Sequence, residues 1–172
     1  MDARRAEFEN FVVLSTDALT RTAYLIVWDL PEAEDLVQET MLKVARRWHS
    51  VRRMDHPIAY ARRILVNLAL SDAARRSRRR GELAGDALPD RGYEPDDSGS
   101  LDTQDELMRA LAALPPRQRT VLVLRYFLDL PEAEVAAAMK CSLGTVKSTA
   151  SRGLARLEQT LRTTTDARSI PT

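Results

Sequence analysis

The sequence predicts an all-α fold: two small helical domains joined by a flexible acidic linker. Three observations carry that expectation. Of the 172 residues 44% are hydrophobic but only 5% aromatic, and no run of β-branched residues alternates with polar ones as a half-buried strand requires. Apolar residues recur instead at helical spacing, in stretches opened by proline or by a capping side chain. Charge is also segregated. The net charge is +1, yet residues 1–45 carry −5, 46–80 carry +9, 81–106 carry −8, 107–138 carry +1 and 139–172 carry +4. A polyanion would therefore meet two separate basic patches on a nearly neutral chain.

The first element runs from Phe8, Phe11 and Val12 through Leu19, Ala23, Leu25, Ile26 and Val27 to Trp28. Asp29-Leu30-Pro31 interrupts it, with Pro31 at a first helical position and Glu32, Glu34 and Asp35 suited to the positive end of a helix dipole. From Pro31 to about His49, helical period groups Ala33, Leu36, Val37, Met41, Val44 and Trp48 as a core face. It groups Asp35, Gln38, Glu39, Leu42 and Arg46 on the opposite side. Leu42 among acids and an amide is either a small exposed anchor or a stray leucine on a solvated surface. Arg52 and Arg53 sit in a short basic connection. Pro57 opens the next helix, predicted to reach Arg80, with Ile58, Ala61, Leu65, Leu68 and Ala69 on its apolar side. Arg62 falls towards that core, which calls for snorkelling or an acidic partner. Tyr60, Arg63 and Asn67 line up on the other side. A ring, a guanidinium and an amide in a row can stack on, neutralise and hydrogen-bond an unstacked nucleotide, or can simply be a solvated helix face. Arg75, Arg76, Arg78, Arg79 and Arg80 end the helix, and need only meet phosphate.

Residues 81–103 carry Gly, Pro, Ser and Asp without periodicity, as a linker does. Beyond it, LPPRQRTVLVLRYFLDLPEAEVAAAMKCSLGTVKSTASRGLARLEQTL divides into three helices. The first opens at Pro115-Pro116 and runs unbroken to Asp129. The second opens at Pro131. The third follows the turn Cys141–Gly144 with Ser142 as its N-cap. On this last helix Val146, Ala150, Gly153, Leu154, Leu157 and Leu161 share one side. Thr145, Ser148, Ser151 and Arg152 share the other, flanked by Lys147 and Arg156. A short helix, a tight turn and a helix with small polar and basic residues outward describe a helix-turn-helix that reads a major groove. The plainer alternative is a helical hairpin with a solvated face. The predicted domains are 1–80 and 104–163, and residues 164–172 are expected to fray.

A single cysteine leaves no disulfide framework, and with His49 and His56 apart it gives no familiar metal spacing. The expectation is no metal and no cofactor. With no nucleophile–base pair and no phosphate loop, no enzyme activity is expected either. The first ten residues are charged, and no apolar run approaches the roughly 18 residues of a membrane span. No membrane insertion and a cytoplasmic location are expected.

The quoted stretch closely resembles region 4 of extracytoplasmic-function sigma factors, a group of the sigma-70 family of bacterial transcription initiation factors, and of their actinobacterial sigma-E-like members in particular. AEDLVQETMLKVARRW likewise resembles region 2.2, and PIAYARRILVNLALSDAARRSRRR resembles regions 2.3 and 2.4. The resemblance implies a promoter-specificity subunit of RNA polymerase. Asp35, Gln38, Glu39 and Leu42 would grip the clamp helices of the beta-prime subunit, and the flap of the beta subunit would be a second contact. Arg52, Arg53, Tyr60, Arg63, Asn67, Arg75 and Arg76 would act at the −10 element. Thr145, Lys147, Ser148, Ser151, Arg152 and Arg156 would act at the −35 element. Promoter DNA is the implied ligand and an anti-sigma factor a further implied partner. Relatives often carry glycine where this chain has Trp28, tryptophan where it reads Asp72-Ala73-Ala74, and Lys-Ser-Arg plus an apolar residue where it reads Lys147-Ser148-Thr149-Ala150. The rival is a two-domain helix-turn-helix regulator that never touches polymerase, which has no reason to match over residues 31–80. A protein-interaction adaptor would leave both basic blocks unexplained.

Overall fold

In the computed structural model, residues 3–83 and 103–168 are described, with side chains over 3–81 and 104–163. Every element among them is helical. The linker expectation falls almost wholly on residues outside this set.

Helices α1 (Ala3–Val27) and α2 (Leu30–Arg46) form an antiparallel pair. Between them Trp28 adopts a left-handed backbone, φ 57°, where relatives' glycine would be unstrained. Its ring lies 5.5 Å from that of Tyr24. Asp29 caps α2 by accepting the Glu32 amide at 2.8 Å, satisfying one of the amides the first turn leaves free. The buried stripe of α2 is Ala33, Leu36, Val37, Thr40 and Val44. Its spacing is helical, and Thr40 stands in it where the apolar pattern would have skipped it.

The helix expected to reach His49 stops at Arg46. A short α3 (Trp48–Val51) follows, turning Trp48 into the core between Phe8 (5.3 Å, edge-on) and Phe11 (5.2 Å). Helix α4 (Pro57–Leu83) buries Ala61, Leu65, Val66 and Ala69 and runs past the Arg80 end that the pattern predicts.

In the second half, α5 (Thr103–Ala112) precedes α6 (Pro116–Leu122). The expected unbroken helix to Asp129 instead widens into a π-helical turn, Val123–Phe127. There Leu128 N–H donates to Val123 at 3.1 Å and Leu130 N–H to Leu124 at 3.0 Å, and Asp129 takes φ 49°. The Arg125 guanidinium donates to the Leu130 carbonyl at 2.5 Å, closing a turn that the widened ladder leaves open. Helix α7 (Glu132–Met139) ends at left-handed Lys140, and Cys141 N–H donates to Ala136 at 3.0 Å. Helix α8 (Leu143–Arg168) starts at Ser142, whose Oγ accepts the Thr145 amide at 3.1 Å. It continues to Arg168 where fraying was expected from residue 164. Thr160 and Thr163 hydroxyls donate to Arg156 and Gln159 carbonyls one turn back, and Arg162 pairs with Glu158 at 2.5 Å. Residues 169–172 lie outside the described set.

The two halves do not keep separate cores. One cluster of buried residues runs from Leu19 and Leu65 to Leu124, Val135 and Val146. Helix α7 lies against α4, and α6 lies against α1 and α4.

Candidate nucleic-acid interface

Residues Asp35, Gln38, Glu39 and Leu42 all stand exposed along the outer face of α2. Leu42 is 60% exposed, and Glu39 pairs with Lys43 at 3.3 Å one turn on. Gln38 also borders a shallow groove between α1 and α2, with Thr16, Thr20 and Val37 on its walls. The core face of α2 fixes this outer face by helical period alone.

On α4 the geometry differs from the exposed row that the sequence suggests. Arg63 is exposed, but Tyr60 is half-buried against the core. Asn67 is half-buried as well, donating to the Arg63 carbonyl at 2.5 Å and to the Ala138 carbonyl of α7 at 3.0 Å. The reason is the shared core, which brings α7 onto this helix. Among the arginines, Arg53 is exposed, Arg52 pairs with Glu7, and Arg75 pairs with Asp72, one of the residues standing where relatives place tryptophan. Arg76 pairs with Glu32 of α2 at 2.7 Å.

Arg62 is half-buried on α4. Burial lowers its affinity for its proton, and the Glu134 carboxylate of α7 works in the opposite direction. Arg119 of α6 is a charged residue that nothing in the sequence pattern singles out. Its guanidinium donates to the Ala112 carbonyl, and burial pulls its pKa down to about 10, with Glu32 opposing and Arg76 reinforcing the shift. At Arg62 the signal was a helical position on the apolar side of α4. Arg119 lies between polar neighbours and offers none.

On α8, Thr145 is half-buried, and Lys147, Ser148, Ser151, Arg152 and Arg156 are exposed. Ser148 Oγ donates to the Thr145 carbonyl at 3.2 Å, and Arg152 Nε donates to the Ser148 carbonyl at 3.2 Å. Lys147 Nζ lies 3.7 Å from Glu132 at the start of α7. The packed face needs two corrections. Thr149 is buried (6% exposed) on the stripe Val146, Thr149, Ala150, Gly153, whereas Leu154, assigned to that stripe, is 42% exposed. Helical spacing of 3, 4 and 7 from Val146 reaches Thr149, Ala150 and Gly153; Leu154 lies about 100° further round.

Among the described residues no group of three or more His, Cys, Asp or Glu side chains is placed to hold a metal. No described helix is long and apolar enough to cross a membrane.

These surfaces coincide with two family models: Sigma-70 region 2 matches residues 15–80 and Sigma-70 region 4 matches residues 104–157. The RNA polymerase sigma-E factor of Streptomyces antibioticus is 38% identical over 165 residues, covering 95% of this chain and 90% of its own. That of Streptomyces avermitilis is 36% identical over the same coverage. The chain belongs to the sigma-70 family. Helices α1–α4 thus correspond to region 2, and α5–α8 to region 4. The fold agrees with a solved sigma factor, RpoE of Bartonella quintana in complex with the anti-sigma factor NepR. The TM-score is 0.71, with 29% identity over 91% of this chain and 97% of that one. Members of this family regulate transcription initiation rather than catalyse a reaction.

Proposed function

We propose that this chain is a dissociable promoter-specificity subunit of bacterial RNA polymerase, active in the cytoplasm and without catalytic chemistry of its own. The observation that carries the reading is the pairing, in one chain, of a region 2 match with a region 4 match. A plain helix-turn-helix regulator would need only the second. The exposed face of α2, with Asp35, Gln38, Glu39 and Leu42, grips the clamp helices of the beta-prime subunit. Region 4 meets the flap of the beta subunit. An anti-sigma factor, as carried by the Bartonella relative, competes for the same chain.

At the −10 element Tyr60 stacks on an unpaired base, Asn67 reads its edge, and Arg52, Arg53, Arg63, Arg75 and Arg76 meet the backbone. Unstacking a base costs a few kcal/mol, which stacking on a ring offsets by about 1–3 kcal/mol per base. At the −35 element α8 enters the major groove. Arg152, Ser148, Ser151 and Thr145 face base edges there, with Lys147 and Arg156 at the phosphates.

Run-off transcription from a genomic promoter library, with core polymerase and with or without this chain, tests the proposal. Transcripts that depend on the chain are expected. Duplex binding without any such transcript would favour the plain regulator.

A further inference from the structure

Two residues at the start of α8 have no account in the packing of the chain. Leu143, the first residue of the helix, is a large apolar side chain left 49% exposed. Gly144 follows it, and nothing inside the chain requires a glycine there. Its φ is not in the left-handed region, and beyond its chain neighbours an added Cβ would meet only the Ser142 Oγ, at an ordinary 3.8 Å. Gly153 of the same helix is the contrast, since a Cβ there would press on Leu122 at 3.2 Å. Glycine in a helix also loses more backbone freedom on folding than alanine does. A residue that weakens its own helix without relieving internal crowding points to a neighbour outside the chain.

The face it stands on says which neighbour. Gly144 precedes Ser148 by four residues and Ser151 by seven, the spacing of one helical face, and all three are exposed. That is the face turned to the −35 bases in the reading above. Leu143 adjoins it at the tip of the helix. In a helix-turn-helix the N-terminal residues of the second helix approach base edges, and the apolar group that a base presents in the major groove is the 5-methyl of thymine.

We infer that the first turn of α8 lies against the −35 base edges, with Leu143 packed on the methyl of one thymine and Gly144 giving the clearance for that approach. Leu143 is then a specificity-determining residue and Gly144 a positioning residue. The inference rests on the −35 reading and extends it by two residues that carry no polar side chain. It gives the chain a means of telling thymine from deoxyuridine, which offer identical hydrogen-bonding groups and differ only in that methyl.

The test uses the chain assembled with core polymerase. The probe is a fluorescent duplex carrying only the −35 element of the promoter that gives the strongest chain-dependent run-off transcript. Each thymine of that element is replaced singly by deoxyuridine. At one position the replacement should weaken binding of the parent about fourfold, the contribution of one buried methyl. Leu143→Ala should bind the unmodified duplex less tightly by about the same factor and should not sense deoxyuridine at that position. Its denaturation midpoint should stay within about 2 °C of the parent. Gly144→Ala should split stability from binding. Its midpoint should rise by about 1–4 °C, while its duplex affinity falls about tenfold. If no thymine shows a methyl effect that Leu143→Ala abolishes, or if Gly144→Ala binds as tightly as the parent, the proposal is overturned. Arg152→Ala shows how far such a failure reaches. A loss of affinity in that variant keeps α8 in the groove and confines the failure to its tip; no loss removes the −35 reading and the proposal together.

Discussion

Gly153 of α8 lies directly on Leu122 of α6. A Cβ at Gly153 would sit 3.2 Å from Leu122 Cδ1, 3.3 Å from its Cγ and 3.4 Å from Gln118 Cβ. That close approach sets how the recognition helix leans on the rest of region 4. An alanine should gain about 1 kcal/mol in helix propensity. It must also displace Leu122, which is buried and has little room to yield, at about 1–3 kcal/mol. Gly153→Ala is therefore expected to lower the denaturation midpoint modestly, and Gly153→Val more. A raised midpoint for alanine would show that Leu122 gives way freely.

The α2 face makes a prediction of the opposite kind, a large change in binding with almost none in stability. Asp35, Gln38 and Leu42 are exposed and support no core contact, so Leu42→Ala and the Asp35→Ala/Gln38→Ala pair should each stay within about 0.5 kcal/mol of the parent. Leu42 is the one large apolar side chain among the four residues proposed to face polymerase. If it is the anchor of the clamp contact, its loss should cost about 2 kcal/mol, roughly thirtyfold in core affinity. Equal titration curves for core polymerase would remove α2 from that interface.

How much of this was legible beforehand depended on whether a feature was local. Caps and faces were: Ser142 as the N-cap of α8 and the exposed rows on α2 and α8 follow from spacing alone. The ends of the helices were less so. Among the described residues all three positive-φ positions are non-glycine, Trp28, Asp129 and Lys140, so the usual glycine mark was missing. The π-helical turn at Val123–Phe127 sits in an unbroken apolar run, where no residue type announces a five-residue ladder. Thr149 was misplaced because an apolar filter skips threonine, although its spacing from Val146 put it on the packed face. The covering of Asn67 was out of reach, since its partner lies 71 residues away.

Arg119 tests whether a buried charge between the halves helps or costs. Burial lowers its pKa to about 10, equivalent to about 3 kcal/mol against the charged form in the folded state. The folded chain therefore holds this proton less tightly than the unfolded chain. The penalty is present in full below about pH 10 and is relieved only as pH climbs above that, towards the higher value of the unfolded chain. Arg119→Met removes the penalty and also the donor to the Ala112 carbonyl, a loss of about 1–3 kcal/mol. The two nearly cancel, so stability should stay within about 1 kcal/mol of the parent, with an unchanged offset between pH 6 and 9. Glu32, 2.7 Å from Arg76 and acting on Arg119, should couple to it. Glu32→Gln should cost less in the Arg119→Met background, by about 0.5–3 kcal/mol in a double-mutant cycle. Additive losses would mean that the two charges do not sense each other across the boundary.

The recognition helix offers the sharpest contrast, between two neighbouring positions. By sequence, Thr149 stands where relatives carry arginine, and Thr149→Arg would be expected to add a phosphate contact and steepen the salt dependence of binding. The structure reverses this. Thr149 is buried between Val146 and Gly153, so an arginine there must push a guanidinium into the packed face of α8. An unpaired buried charge breaks the packing that holds α8 on α6. Thr149→Arg should therefore lower the denaturation midpoint and give no gain in −35 duplex affinity. Arg152 is exposed, and only its Nε is engaged by the chain in the contacts seen, at the Ser148 carbonyl. In the proposed −35 reading its terminal amino groups face base edges. Arg152→Ala should leave stability unchanged, cost about 1–3 kcal/mol in affinity and relax specificity at one −35 position. Arg156→Ala, a turn further on, should instead weaken all duplexes alike and reduce the salt slope by about one unit. Duplex titrations of the three variants at several salt concentrations separate these outcomes. A flat response to Arg152→Ala at every salt concentration would place some other face of α8 against the DNA.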